Sequence, residues 1–253
     1  MHHINHRPLS PFDRYADRYT AFASIQYDTF TSVLANAPTI PATHILDIGC
    51  GTGHNTIRIG ARYPNAQIHG IDLSKAMIDQ AALIEDPQYR WDVADIVTLT
   101  PSDPYQVIIS HATLQWVTDL VGYARAIHRL LDSNGHLYLC LFGPQTYHEL
   151  QDALTQTHPN HPPIAATRFH SRETIEAAFS PYVSSLTIAE DHITRLYPSV
   201  RHLFETMKYS GTVPPTRYPW TRGGLHALEA AYPQTEAGVP ATYHVLVVSG
   251  IKR

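Results

Sequence analysis

The stretch Ile45-Leu-Asp-Ile-Gly-Cys-Gly-Thr-Gly53 concentrates the residues best suited to chemistry in this chain. An apolar run ends on three alternating glycines, and a helix-like segment follows. Glycine admits positive φ and lets backbone amides approach a ligand with no Cβ between them. The start of a helix favours a negative group. An ordinary strand-to-helix turn would use the same residues. A dinucleotide fingerprint would read G-x-G-x-x-G. Counted from Gly49 its last position is His54, and counted from Gly51 it is Thr56. The fingerprint fails in both registers and gives no role to Asp47. The 17 histidines suggest a metal, yet they form no H-E-x-x-H or other tight ligand array. His2, His3 and His6 crowd a polar start, and His158 and His161 lie in a Pro-rich run. Compositional bias accounts for them, and no metal site is expected.

The elements that must position this loop are written in alternation. Residues 44–48, 67–71, 105–110 and 136–142 are short apolar runs that read as buried strands, with a weaker one at 89–93. Helices fit between them. Leu120, Ala124, Ile127 and Leu131 share a helical face behind Thr118 or Asp119 as cap, and Ser74 can cap a helix bearing Met77, Ile78 and Ala81. Thr146-x-x-Glu149 matches a capping box ahead of Leu150 and Leu154. Such alternation predicts an α/β fold, a parallel sheet with helices on both faces, and chemistry just past Ile48, Ile71, Ser110 and Phe142. Further on, 171–179 reads as a short helix, 183–188 as a strand, 199–209 as a helix with Val200, Leu203, Phe204 and Met207 inward, 211–224 as a loop, and 243–251 as a final strand.

The loop matches in full a pattern written (V/I)-L-D-x-G-x-G-x-G. It resembles motif I of the class I S-adenosylmethionine-dependent methyltransferases. The resemblance implies a Rossmann-like fold: a seven-stranded, mostly parallel sheet with helices on both faces, an antiparallel last strand, and a small lid. It implies that Gly49, Cys50, Gly51 and Gly53 pass under the methionine part of the cofactor, with Asp47 orienting the surroundings. Asp72, ending the second strand, would accept from both ribose hydroxyls, as an acceptor-only carboxylate can. Leu73 and Met77 would cover the adenine, Asp95 and Ile96 would meet its amino group, and Ser110 to Trp116, including Leu114, would lie beside the reactive methyl.

Three further segments narrow the resemblance. They are Phe12-Asp-Arg-Tyr-Ala-Asp-Arg-Tyr19 with Ala23-x-x-Gln26, Phe142-Gly-Pro-Gln-Thr-Tyr-His-Glu-Leu150, and Leu203-x-x-x-Met-Lys208-x-x-Gly211. Together with Leu114-Gln-Trp116 they resemble the malonyl-acyl-carrier-protein O-methyltransferases of biotin synthesis. One departure is Gly211-Thr-Val-Pro-Pro, where that family commonly has Ala and nearby Asn. The resemblance implies one methyltransferase domain over 1–253, a cofactor-covering helix at about 10–35 that brings Tyr19 to the cofactor, and a lid at about 192–232. The activity implied is methyl transfer to the free carboxylate of a malonyl thioester, on carrier protein or coenzyme A, leaving S-adenosylhomocysteine. Such a carboxylate is already ionised at neutral pH, so no general base is needed and His111 is read as a polar wall. Tyr19, Gln145, Arg168 and Lys208 are the candidates to hold that carboxylate.

Charge and composition set the remaining bounds. The net charge of −4 argues against general nucleic-acid binding, and no apolar run is long enough for a membrane helix. Within the lid, Arg195, Arg201, Lys208, Arg217 and Arg222 face a lone acid, Glu205, which suits an acidic carrier protein. Two cysteines, Cys50 and Cys140, are too few for a disulfide framework and predict a reducing, cytoplasmic setting. A methyltransferase of another small carboxylic acid, and a non-catalytic carrier- or cofactor-binding protein, remain as alternative readings.

Overall fold

The computed structural model describes residues 10–37, 39–211 and 221–253. Seven strands, β1 (His44–Ile48), β2 (Gln67–Asp72), β3 (Tyr89–Val93), β4 (Tyr105–His111), β5 (Leu131–Phe142), β6 (Val183–Tyr197) and β7 (Val239–Lys252), form one sheet. Their order is β3-β2-β1-β4-β5-β7-β6. β1 runs parallel to both β2 and β4, with Asp47 opposite Gly70 on one side and Ile109 on the other. The chain order reverses between β1 and β4, so a crevice opens past their carboxyl ends. β7 is antiparallel to β5 and to β6, as expected for the last strand.

Alternation along the strands divides the core into two layers. Ile45, Ile68, Val107 and Ile109 pack on one face with Phe30 and Val33 of α2 (Ser24–Asn36) and Ile59 of α3 (His54–Arg62). Leu46, Ile48, Ile71 and Ile108 pack on the other with Ala124 and Ile127 of α5 (Leu120–Leu130) and Phe179 of α7 (Arg172–Phe179). Asp119 caps α5 and Ser74 caps α4 (Lys75–Ala81). Before them, α1 (Pro11–Phe22) packs against α4 and against α8 (Val200–Tyr209).

Several boundaries differ from expectation. Leu131 stands past the end of α5 and opens β5, which begins five residues before His136. β6 runs on to Tyr197, pairing with β7 along its whole length, so residues 192–197 belong to the sheet and not to a lid. Only α8 and α9 (Arg222–Ala231) intervene among the described residues. Arg222, Gly223 and Gly224, expected in a loop, form the first turn of α9 behind the Thr221 cap. Arg217 and the Thr-Val-Pro-Pro departure lie outside the described residues.

The Thr146–Glu149 capping box does not form. Helix α6 (His148–Thr157) starts after Tyr147, whose φ is 60°, with no side-chain cap. Thr146 Oγ1 instead exchanges hydrogen bonds with the backbone of His244, and the Glu149 carboxylate accepts from Thr242 N (3.0 Å) and Thr242 Oγ1. Gly143 lies so close that a Cβ there would be 2.4 Å from His244 Nδ1. The Phe-Gly-Pro-x-Thr-x-x-Glu-Leu run is thus a clasp that fastens the turn after β5 to β7. No helix of the described residues is long and apolar enough to cross a membrane.

Candidate active site

The turn after β1 is held by its neighbours on both sides. Gly49 N and Cys50 N both donate to Ile71 O, at 2.8 and 3.0 Å. Gly49, Gly51 and Gly53 all have positive φ, at 71°, 56° and 78°. A Cβ on Gly49 would meet Thr113 Oγ1 at 2.0 Å, so close packing against the loop after β4 forbids a side chain there. A Cβ on Gly51 would meet nothing within 4 Å. That glycine keeps open space above the loop.

Asp72 organises the ribose-side edge of this turn. Its Oδ2 accepts from Gly51 N (3.0 Å) and its Oδ1 from Ser74 N (2.8 Å). Ser74 Oγ caps α4 through Met77 N and donates to Asp13 Oδ1 at 2.6 Å. Asp13 also closes a capping box with Ser10 at the start of α1. A chain of polar contacts therefore ties the N-terminal helix to the acid at the end of β2. The signal for it was present in Ser10-Pro-Phe-Asp13, the [ST]-x-x-[DE] pattern with Pro at the first helical position.

Electrostatics favour a cationic guest. Asp47 is buried, and burial pushes its carboxyl up to about 7. The 2.6 Å hydrogen bond from Thr56 Oγ1 opposes that shift and nearby Asp72 adds to it. Asp72 is itself raised, by burial first, against the pull of its two backbone donors. A cavity of about 220 Å³ opens beside the loop, lined by Tyr19, Gln26, Asp47, Gly49, Gly51 and His111 among others, with no Lys or Arg among the described residues of its wall. His111 is buried and neutral, its imidazole pushed down to about 3 by burial and then by Arg58. The Tyr19 phenol is raised by burial and by Asp72, so it remains a hydrogen-bond donor.

Residues 46–137 match the family described as a methyltransferase domain. The chain is 30% identical to the malonyl-(acyl-carrier protein) O-methyltransferase of Halorhodospira halophila, over 93% of this chain and 83% of that one. It is also 30% identical to the enzyme of that name from Dechloromonas aromatica, over 93% and 90%. The chain belongs to this O-methyltransferase family. Among solved structures, the YcgJ protein from Bacillus subtilis superposes with a TM-score of 0.63 at 17% identity, covering 90% of this chain and 99% of that one. Phosphoethanolamine N-methyltransferase 2 of Haemonchus contortus gives 0.58 at 16% identity, covering 97% and 61%. These two likenesses carry the methyltransferase fold alone.

Within the methyltransferase, the residues singled out from sequence fall into three groups. Tyr19, Asp47, Gly49, Cys50 and Gly51 line the cavity. Gly53 caps α3, and Asp72 flanks the loop. Leu73 is 74% exposed just past β2, while Met77 and Ile96 are buried. Asp95 Oδ1 accepts from Val97 N (2.9 Å) and turns its own loop. Ser110 Oγ donates to Ile48 O (2.8 Å), and Leu114 is fully buried, so both serve the sheet.

Of the four substrate candidates only Tyr19 lines the cavity. Gln145 Oε1 accepts from His192 Nε2 on β6 at 2.7 Å. Lys208 Nζ stands over the rings of Tyr15 (5.4 Å) and Tyr209 (5.0 Å), between α1 and α8. Arg168 is exposed in the turn Ala165–Arg168, next to Phe169, whose ring meets Trp116 edge-on at 5.1 Å. Of the cations expected in the lid, Arg195 lies on β6 and is paired with Asp28 of α2, so it is not a free cation. Arg201, Lys208 and Arg222 are exposed. Gln26, which lines the cavity, entered the sequence reading only through the Ala23-x-x-Gln26 spacing. Tyr19, Ala23 and Gln26 stand four and three residues apart, the spacing of one helical face.

Proposed function

We propose that this protein transfers the methyl group of S-adenosylmethionine to the free carboxylate of a malonyl thioester on acyl carrier protein, the methyl ester that opens the pimeloyl route to biotin. The observation that carries the cofactor part is the cradle at the glycine loop. Two acids with raised pKa, Asp47 and Asp72, flank the loop, and the cavity beside it has no Lys or Arg among the described residues of its wall. Such a place welcomes a ligand bearing a sulfonium and an ammonium. The open face of Gly51 and the unpartnered Oε1 of Gln26 are further marks of fit. Membership in the family supports the acceptor.

When bound, S-adenosylmethionine supplies an electrophilic methyl group. Its transfer would join the carboxylate oxygen to the methyl carbon and leave the carbon–sulfur electron pair on sulfur, and would ask no proton transfer of the chain. The chain's task is therefore alignment and exclusion of water. Asp72 keeps both oxygens fixed by Ser74 N and Gly51 N, each with a lone pair left for a ribose hydroxyl. Tyr19 can donate to one oxygen of the malonyl carboxylate and leave the other free to attack. Neutral His111 forms a wall. The helix α1, fastened through Asp13 and Ser74, covers the cofactor. Arg168, Gln145 and Lys208 would meet the acyl group only from the outer side of this cover. Among the described residues, exposed Arg201, Lys208 and Arg222 are the lid cations left to greet an acidic carrier, in a cytoplasmic setting that suits the two free, buried cysteines.

The test uses methyl-labelled S-adenosylmethionine with malonyl-carrier protein, malonyl-coenzyme A, free malonate and acetyl-carrier protein side by side. Alkali-labile label on the malonyl thioesters alone is expected. Label on another free acid, with none on malonyl thioesters, would replace the substrate. Added salt should lower turnover on the carrier protein more steeply than on malonyl-coenzyme A, and equal salt curves would remove the docking role of the lid cations.

A further inference from the structure

We propose that Gln26 recognises the amino-acid end of S-adenosylmethionine, its side-chain carbonyl accepting from the α-ammonium. The proposal rests on the cofactor reading above. Gln26 sits in the first turn of α2, is only 4% exposed, and lines the cavity. Its Oε1 is buried with no hydrogen-bond partner. Buried amide oxygens are nearly always satisfied, so an orphan at a cavity wall marks a partner that arrives with a ligand.

The neighbours show which kind of partner is missing. Nearby, Thr29 Oγ1 donates to Ile25 O (2.8 Å) and stands 2.9 Å from His111 Nε2. Asp47 Oδ2 already accepts from Thr56. Gln26, with its unpartnered Oε1, and the Asp47 carboxyl share one cavity wall, in which no Lys or Arg stands among the described residues. An ammonium, with three N–H donors and a positive charge, is the ligand group that completes such a set.

Position agrees with chemistry. The cavity lies on the Asp47 side of the loop, and Asp72, the expected ribose partner, is not among its lining residues. Gly51 stands between them, lining the cavity while its N–H bonds Asp72. A ligand whose ribose meets Asp72 and whose chain crosses Gly51 places its amino-acid end at Gln26.

The experiment is calorimetric binding to the full chain, with S-adenosylhomocysteine and with its analogue lacking the α-amino group. Wild type should bind the analogue about tenfold or more weakly, the usual worth of a charge-assisted hydrogen bond. Q26M should bind S-adenosylhomocysteine about tenfold more weakly and lose most of the discrimination between the two. Q26E, which swaps the amide for a carboxylate, should bind it at least as tightly as wild type. Discrimination retained in Q26M, or weakened binding in Q26E, would overturn the assignment. If wild type binds neither compound, the cofactor reading itself falls and takes this inference with it.

Discussion

Asp47 offers a test of the site's electrostatics that needs no substrate. Its carboxyl is buried and pushed from 3.8 up to about 7, chiefly by burial. An acid whose pKa rises on folding resists ionisation in the folded state. Below the unfolded value both states hold the proton, and Asp47 costs nothing. As pH climbs past it, the unfolded chain ionises and the folded one does not, so stability falls until the folded group ionises too. The shift from 3.8 to about 7 corresponds to about 4 kcal/mol once pH exceeds the folded value, and to about 3 kcal/mol near pH 6. Asp47→Asn keeps an oxygen to accept from Thr56 Oγ1 and cannot ionise. Urea unfolding of both proteins across this range should give a variant with little advantage near about pH 4, rising to about 4 kcal/mol above about pH 7. Two stability curves that stay parallel throughout would refute the reasoning, because they would show Asp47 ionising alike in both states.

The two inner glycines should separate. Gly49→Ala drives a Cβ to 2.0 Å from Thr113 Oγ1 and should lower the melting temperature sharply, whereas Gly51→Ala meets nothing within 4 Å and should cost only about 1–2 kcal/mol of left-handed backbone strain while blocking S-adenosylhomocysteine in calorimetry. Asp13→Ala should loosen α1, seen as faster proteolysis near the N-terminus at unchanged global stability. Hydrogen bonds from Ser74 and Ser10 outweigh burial and hold the Asp13 carboxyl below 3.8, so in wild type this fastening persists above that pH and is lost as pH falls through the lowered value. Glu149→Ala should cost about 2–3 kcal/mol in urea unfolding, since it strands the buried Thr242 N–H, while Glu149→Gln should recover much of that loss.

The sheet was legible where burial was two-sided. Residues of β1, β2 and β4 are apolar in succession because helices cover both faces, and the run shows without its context. β6 past Ile188 was not, because on this edge strand every position from Ala189 to Leu196 but Ile193 is exposed, which leaves no alternating apolar pattern to read. Its continuation is dictated by the antiparallel register of β7, from Ala189 opposite Val247 to Tyr197 opposite Val239, a long-range fact. α9 was hidden by Gly223 and Gly224, poor helix formers, and rests instead on the Thr221 cap and the buried Leu228.

The same division runs through the site. Asp47, the glycines and Asp72 were legible because one strand, one turn and the next strand fix their spacing locally. Thr146 and Glu149 had the spacing of a cap, but β7 offers them backbone donors nearly a hundred residues away, and those satisfy a buried Glu149 better than a helix end would. Gln26 shows the converse case. The Ala23-x-x-Gln26 spacing marks it as part of a matching segment and assigns it no partner. What singles it out is a buried amide oxygen without a hydrogen-bond partner on a residue that lines the cavity. An unmet hydrogen bond is a property of the assembled fold, and it is where the fold declares what it is built to receive.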